Sequence, residues 1–564
     1  MMIKSIQQKV KDMWIAQANK ENLFIILAYR LIIFSAIIKL FFIGRPLIGH
    51  YDSEGQLYSL MAMSLNKYGF FKLAFIPVNN SGLLTNPPDY YAHWPLLYPN
   101  FLAWAFHIFG QKVEIGRLIT AIASTLSYWL LFDIVKRNYS ERMAFFTIVF
   151  FIMAPINLYY SFWIGRTFIA LALWVAAIRS FLICIRCEEK YYRHLFFACI
   201  WFAMATLISW EPIVTIIGLT IIYFISKDMF SRKAALACMV ALVIPFVAHH
   251  VYIMVIAPHL LVDQFNAYLI RSYSQTSMLP PRPFLNWLFL IAYNMYISFG
   301  IIILMSSFLG LILLIKSWIK QNKSSHKSNK NNIFHMKFDY SDTHEFLFLI
   351  ILLISMPLFW FLAAPRQGFD HDYECILWIP FICLTAAYLW DYFFQRQMKP
   401  IIIIVIICIV SLIGTESFIG FKRYYRIDYS NEYSKIINLK DRLKDTDILI
   451  VSQNDFSKPT TAFLTGCLIV KVISKEQALR FIKLRTPNLA GNIYYMDYKQ
   501  SNIQINENQD DFLYYFKNKL IKYYKPLKWK TYPELSEWVK DNFSREELPG
   551  GLILYDMNSL KELD

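Results

Sequence analysis

The stretch Gly49-His50-Tyr51-Asp52-Ser53-Glu54-Gly55 decides how the chain is read. It follows an apolar run, 23–43, long enough to cross a bilayer core about 30 Å thick, which takes roughly 20 helical residues. A largely polar, aromatic-rich segment then extends to residue 115 before the next convincing run. In a chain this apolar, two carboxylates at a membrane edge mark the expected place of chemistry.

The composition agrees with a membrane setting. Of 564 residues, 57% are hydrophobic, 17% aromatic and only 17% charged, and the mean hydropathy is +0.38. That is more apolar surface than a soluble domain buries. Apolar runs recur at 23–43, 116–135, 144–164, 168–185, 195–210, 213–225, 234–257, 286–315, 346–364, 376–394 and 400–420. They predict a polytopic α-helical membrane protein with about eleven transmembrane helices. The run 213–225 is short and begins after Pro212, so it also reads as half of a re-entrant pair with its predecessor. The first run follows Lys4, Lys9, Lys11 and Lys20, exceeds a signal-peptide core and lacks a small-residue cleavage site, which predicts an uncleaved anchor.

Orientation follows from cationic loops, which are retained in the cytoplasm. Lys136-Arg137 with Arg142, Arg186 with Lys190 and Arg193, Lys227 with Arg232-Lys233, Lys316 through Lys337, and Arg396 with Lys399 all fall inside if the N-terminus is cytoplasmic. The loops 50–115, 258–285 and 364–375 and the tail after 420 are then outside. The net charge of +16 is explained by these loops and the low-complexity 320–330 stretch, which removes the case for nucleic-acid binding. Seven of the eight cysteines lie in or beside spans, and Cys467 stands alone in the tail, so neither a disulfide framework nor a zinc site is expected. The sequence divides into a transmembrane domain, 1–420, and a soluble extracytoplasmic α/β domain, 421–564. In the latter, 447–451, 468–472, 492–496 and 551–555 read as strands, and 431–444, 475–484, 510–523 and 533–541 as helices.

Within the 50–115 loop, Leu57, Leu60, Met61, Met63 and Leu65 keep helical spacing and predict a helix lying in the membrane interface. A turn at Asn79-Asn80-Ser81-Gly82 leads to Tyr90-Tyr91-Ala92-His93-Trp94-Pro95-Leu96-Leu97-Tyr98-Pro99, and a second short amphipathic helix ends at Gly110. Two such helices flanking an aromatic, proline-stiffened turn would form a cleft at the membrane surface.

An acidic pair beyond the first span, a following Tyr58 and the His93-to-Pro99 turn before Phe109-Gly110 resemble the polyprenyl-phosphate-dependent glycosyltransferases of the GT-C fold. The pattern is most similar to the bacterial protein O-mannosyltransferase-like and lipid A aminoarabinose transferase-like enzymes. A late external loop, Arg366-Gln-Gly-Phe-Asp370-His371-Asp372-Tyr373, resembles the Asn-His-x-Tyr-Tyr segment of the same group. Ser53 separates the acids, Trp94 replaces a proline, Asp370 replaces the Asn and Glu374 replaces the second Tyr, which implies a divergent subfamily.

The resemblance implies a sugar donor linked to a long isoprenoid through one phosphate, and a lipid-linked glycan or protein hydroxyl as acceptor. Such transfer needs a base for the acceptor proton and cations for the departing phosphate. Asp52 is the first candidate base and Glu54 the second, the other carboxylate orienting the acceptor or helping to hold a divalent cation. Arg366 and His371 suit the phosphate, with His93 and Arg271 as further candidates. Arg271 and Arg282 could clamp the phosphate, but contact with lipid headgroups is the preferred reading for both. Tyr58, Tyr91, Trp94, Arg166, Glu211, Asp372 and Tyr373 are expected to bind substrate. Arg30 and Lys39 interrupt the first span, and His249-His250 near the outer end of another project in different directions. The reading that results is an inverting glycosyltransferase of the bacterial inner membrane, active on the periplasmic side. A transporter or flippase for a lipid-linked saccharide, which would show internal repeats and broken paired spans, is the alternative, beside a glycan polymerase or ligase.

Overall fold

The computed structural model describes residues 23–47, 49, 52–79, 82, 84–85, 88–186, 189, 191–226, 228–271, 284–325, 340–364, 371–395, 411–422, 437–452, 462, 465–472, 474–479, 491–498, 533–548 and 552–559. In chain order the helices are α1 (Leu23–Leu40), α2 (Asp52–Tyr68), α3 (Leu97–Phe109), α4 (Val113–Asn138), α5 (Glu141–Met153), α6 (Pro155–Tyr160), α7 (Thr167–Arg186) and α8 (Tyr191–Ile208). They continue as α9 (Thr215–Ile225), α10 (Met229–Ile256), α11 (His259–Arg271), α12 (Phe284–Phe299), α13 (Ile301–Ser325), α14 (Tyr340–Ala363) and α15 (Ile379–Gln395), with 3₁₀ turns at Glu211–Val214 and Asp372–Trp378. Among the described residues seven helices are long and apolar enough to cross a membrane, and eight if one bent pair counts as a span. The chain is a multi-pass membrane protein.

Two runs that read as single spans are broken. The 286–315 run is α12 and α13, which meet at 106°. Gly300 takes φ +74° there, a backbone state glycine adopts at little cost. The Ile302 N–H, one of the groups a new helix start leaves without an intrahelical acceptor, donates to Glu416 Oε2 at 3.2 Å. The 144–164 run ends its first helix at Met153, because Pro155 offers no N–H to continue it, and α6 starts afresh.

Charge separates to the two ends of the bundle. At one end Asp133 Oδ2 accepts from Arg137 Nε and Arg179 Nε, each at 2.6 Å, and Arg142 Nε meets Asp391 Oδ1 at 2.5 Å. At the other end Arg117 stands near the start of α4, beside the first loop. Between the ends, small residues let helices approach closely. Ser307 Oγ and Thr385 Oγ1 stand 2.7 Å apart, and a Cβ on Gly310 would overlap the Thr385 carbonyl oxygen.

The two helices of the first loop behave differently. On α3, Phe101, Trp104 and Ile108 form an exposed stripe while Tyr98, Leu102 and Phe106 are buried, the pattern of a helix lying in an interface. The α2 helix, expected to lie there too, is instead enclosed. Tyr58, Met61, Ala62 and Leu65 pack with α3, and Leu60 is covered by the C-terminal sheet.

That sheet has strands β1 (Ile448–Ser452), β2 (Leu468–Val472), β3 (Ile493–Tyr498), β4 (Ser544–Leu548) and β5 (Leu552–Asp556) in the order β2-β1-β3-β5-β4. β1 runs parallel to β2 and β3, and β5 antiparallel to β3 and β4. The period-2 alternation of a strand gives it two apolar faces. Ile448, Ile450, Tyr495 and Tyr555 share a core with Leu535 and Val539 of helix α16 (Pro533–Asn542), while Leu449, Val451, Met496 and Leu554 share a second one with Leu60. β4 does not stand out in the sequence, since Ser544-Arg-Glu-Glu-Leu548 carries charge where a strand usually carries β-branched residues. The expected helix at 510–523 lies outside the described residues.

Gly310→Leu is expected to force α13 from α15 and destabilise the protein by about 1–3 kcal/mol, the usual cost of overpacking. Thermal unfolding in detergent, compared with Gly310→Ala as the milder change, checks this.

Candidate active site

The site is built on the start of α2. Asp52 and Glu54 occupy its first turn, where the helix dipole favours negative charge. The two acids face different surroundings. Asp52 is buried, 3% exposed, and its Oδ2 accepts from the Gly49 N–H at 2.7 Å and faces Arg117 Nη2 at 3.4 Å. Arg117 is equally buried and also donates to the Pro46 and Phe162 carbonyls. Gly49 lies close under Arg45 Nη2 and the Tyr159 hydroxyl, and a Cβ there would push the ends of both side chains aside. Asp52 therefore anchors the loop that follows the first span.

Glu54 faces a cavity of about 110 Å³ lined by Glu54, Leu57, Tyr58, Tyr91, Trp94, His371 and Tyr373. Three segments distant in sequence supply this wall: α2, the aromatic turn of the first loop and the start of the Asp372–Trp378 turn. The Tyr373 hydroxyl donates to Glu54 Oε1 at 3.0 Å and joins the first segment to the last. The His371 ring lies 5.2 Å from that of Tyr373.

Arg166 and Glu211, expected to touch substrate, stand behind this wall. Arg166 is fully buried and its guanidinium lies 3.4 Å from the centre of the Trp94 ring. Its Nε donates to Ser209 Oγ at 2.7 Å, Nη1 to the Tyr58 hydroxyl at 3.1 Å and Nη2 to Glu211 Oε1 at 2.9 Å, with Glu374 Oε1 at 3.5 Å. A planar fork with five donors can serve all of these at once, which an ammonium group cannot. Burial pushes the Tyr58 phenol well above its usual range, so the hydroxyl keeps its proton while accepting from Arg166. Among the described residues Glu211 Oε2 has no hydrogen-bond partner. Asp372 is likewise directed away from the cavity, accepting from the Tyr160 hydroxyl at 2.8 Å.

His93 is outside the cavity lining. Its carbonyl accepts from Trp210 Nε1 at 3.4 Å, and its ring lies 4.8 Å from that of Tyr91. Trp210 also packs against His249, whose Nε2 meets Gln264 Nε2 at 3.3 Å, and Gln264 Nε2 donates to the Ala92 carbonyl. The histidine pair thus supports the aromatic turn. Among the described residues no group of three His, Cys, Asp or Glu side chains is placed to share a metal ion. Arg366, Asp370 and Arg282 lie outside the described residues, as does the side chain of Arg271, which ends α11.

Arg117, Arg45, Ser209 and Glu374 escape a reading for site residues by sequence alone. A signal exists for Arg117, since a cation just inside an apolar run is a functional hint by default. Glu374 stands out as a departure from the motif, and only its distance from Arg166 gives it a role.

The dolichyl-phosphate-mannose-protein mannosyltransferase family profile matches residues 93–252, a segment that carries the aromatic turn, Arg117, Arg166 and Glu211. Among curated proteins no sequence matches the chain. Solved structures do. ArnT from Cupriavidus metallidurans, bound to undecaprenyl phosphate, superposes with a TM-score of 0.60 at 11% identity over 96% of this chain and 99% of that one. The oligosaccharyltransferase of Archaeoglobus fulgidus in its apo form gives 0.51 at 10% identity over 83% and 69%. The same archaeal enzyme, AglB, with an inhibitory peptide and a dolichol-phosphate, gives 0.50 at 11% identity over 83% and 69%. Similarity spread over nearly the whole of ArnT at so low an identity is similarity of fold, and the chain has the GT-C fold of these membrane glycosyltransferases.

Proposed function

We propose that the protein is an inverting glycosyltransferase that moves a sugar from a polyprenyl-phosphate donor to a lipid-linked glycan or protein hydroxyl on the periplasmic face of a bacterial inner membrane. The observation that supports it is the contact of Tyr373 with Glu54 across an aromatic-walled cavity. It brings a carboxylate from the first loop and a histidine from the last third of the chain to one small space. The family profile over 93–252 and the undecaprenyl phosphate held by ArnT support the donor class.

In this reading Glu54 is the base. The acceptor oxygen attacks the anomeric carbon, Glu54 takes its proton, and the bond to phosphate breaks with the electron pair leaving on the polyprenyl phosphate. Attack opposite the leaving group inverts the anomeric centre. The proton becomes acidic only as the new bond forms, so a carboxylate suffices. Tyr373 orients Glu54, while Tyr91 and Trp94 offer flat faces for a sugar ring. Arg366 and Arg271 supply positive charge for the phosphate, and His371 donates a hydrogen bond to it in either protonation state. Asp52 holds the loop through Arg117 and takes no proton. Residues 1–420 form the membrane-embedded catalytic part and 421–564 the extracytoplasmic one. A transport path would line the length of the bundle with polar groups, whereas the ion pairs among the described residues gather at its two ends.

Glu54→Gln is expected to lower transfer by about 10²–10⁴-fold, the usual range for a general base, with binding of undecaprenyl phosphate retained. Undiminished turnover in purified protein supplied with polyprenyl-phosphate sugars would remove Glu54 from this role. Arg166→Lys is expected to lower both turnover and melting temperature, because a lysine cannot stack on Trp94 while bonding Tyr58, Ser209 and Glu211. The ammonium keeps the charge beside Glu211 and Glu374 but leaves buried acceptors unmatched, at about 1–3 kcal/mol for each. A melting temperature equal to wild type would show that the fork is dispensable.

A further inference from the structure

Glu54 and Tyr58 stand one turn apart on α2 and both line the cavity. Leu60 and Lys67 share a different face of the same helix. Seven residues bring the helix round to within about 20° of its start, whereas the six from Glu54 to Leu60 leave them about 120° apart. This second face is occupied by the C-terminal α/β unit. Leu60 is fully buried in one apolar cluster with Leu449, Val451, Met496 and Leu554 of the sheet. Lys67 Nζ donates to Asp445 Oδ2 at 2.9 Å. Next to it, the Tyr68 hydroxyl donates to the Gly82 carbonyl, and Gly82 lies so close to β2 that a Cβ would overlap the Leu468 backbone.

The receiving surface is itself held. Asp447, buried, accepts from the backbone N–H groups of Lys444 at 2.8 Å and Asn492 at 2.7 Å. Gly491 packs directly on the Thr446 carbonyl. The turn that carries Asp445 is thereby fastened to the start of β3.

We propose that the C-terminal α/β unit is a positioning element of the cavity: by gripping the Leu60 and Lys67 face of α2, it sets the rotation of that helix and so the place of Glu54 and Tyr58. The functional meaning rests on Glu54 acting as base, as argued above, while the mechanical coupling is independent of it. A helix with its side chains is about 10–12 Å across, so a rotation of about 10° carries a side-chain tip about 1 Å. A misplacement of about 1 Å is enough to cost roughly two orders of magnitude in rate.

Amide hydrogen exchange of the full-length protein in lipid nanodiscs tests the coupling. Lys67→Asp and Asp445→Lys each reverse an exposed charge and leave every buried group in place. Either single change is expected to speed exchange at residues 56–59, whose hydrogen-bond acceptors are the carbonyls of 52–55, by about two- to fivefold, and the double exchange to restore it. Leu60→Asp, which places a carboxylate in the apolar contact, is expected to raise it more than about tenfold. Acceleration confined to residues 64–70, beside the altered contact, would overturn the proposal, since the contact would then be local. So would wild-type exchange at 56–59 in the Leu60→Asp protein while α7 stays protected. No substrate enters this measurement, so its failure is distinguishable from failure of the Glu54→Gln test, which reads turnover alone.

Discussion

The buried guanidinium of Arg166 is the interaction on which the site depends. A charge removed from water has to be repaid by partners of good geometry, and Arg166 finds them on four separate stretches of chain: Tyr58, Trp94, Ser209 with Glu211, and Glu374. Two of these, Tyr58 and Trp94, are themselves walls of the cavity. The cavity's shape is thus a consequence of satisfying one cation, and the protein needs no continuous scaffold beneath the site to hold its parts together.

The two carboxylates of the opening motif divide the work by environment. Asp52 is enclosed by Arg117 and a backbone N–H, so its charge is committed to structure. Glu54, two residues on, turns toward open space with a tyrosine hydroxyl as its partner. Residues two apart on a helix point about 200° away from each other, and a single acid could not have met both needs. Ser53 between them is the spacing that makes the division possible.

Much of the architecture was legible because apolar length and cationic loops are strong one-dimensional signals. Apolar runs marked most of the helices, and the unbroken apolar stretch Ile448-Leu-Ile-Val451 marked a strand buried on both faces. The bend at Gly300 was hidden, since a glycine within an apolar run is tolerated in straight spans, and the group that fastens the break, Glu416, lies far along the chain. The cavity was partly legible: Glu54, Tyr58, Tyr91, Trp94, His371 and Tyr373 are polar or aromatic residues at expected external positions. What pattern could not convey was depth. Arg166 and Glu211 look the same in sequence whether they face a ligand or one another, and Asp52 carries no mark of the arginine beside it. The burial of α2 was missed for a related reason, because an amphipathic helix covered by protein has the same periodicity as one lying on lipid.

The buried cluster that joins Leu60 to the C-terminal sheet bears on how the molecule comes into being. Strand β5 is synthesised long after α2, yet the two share one buried core. Until it arrives, α2 presents Leu60 to water and waits without its second wall, while the spans between are being inserted. Closing so long a loop is slow and is rewarded only at the end. Synthesis order therefore leaves the Leu60 face of α2 uncovered in every nascent intermediate that lacks the sheet, and a ribosome that stops before it leaves behind an inserted bundle with that core unclosed.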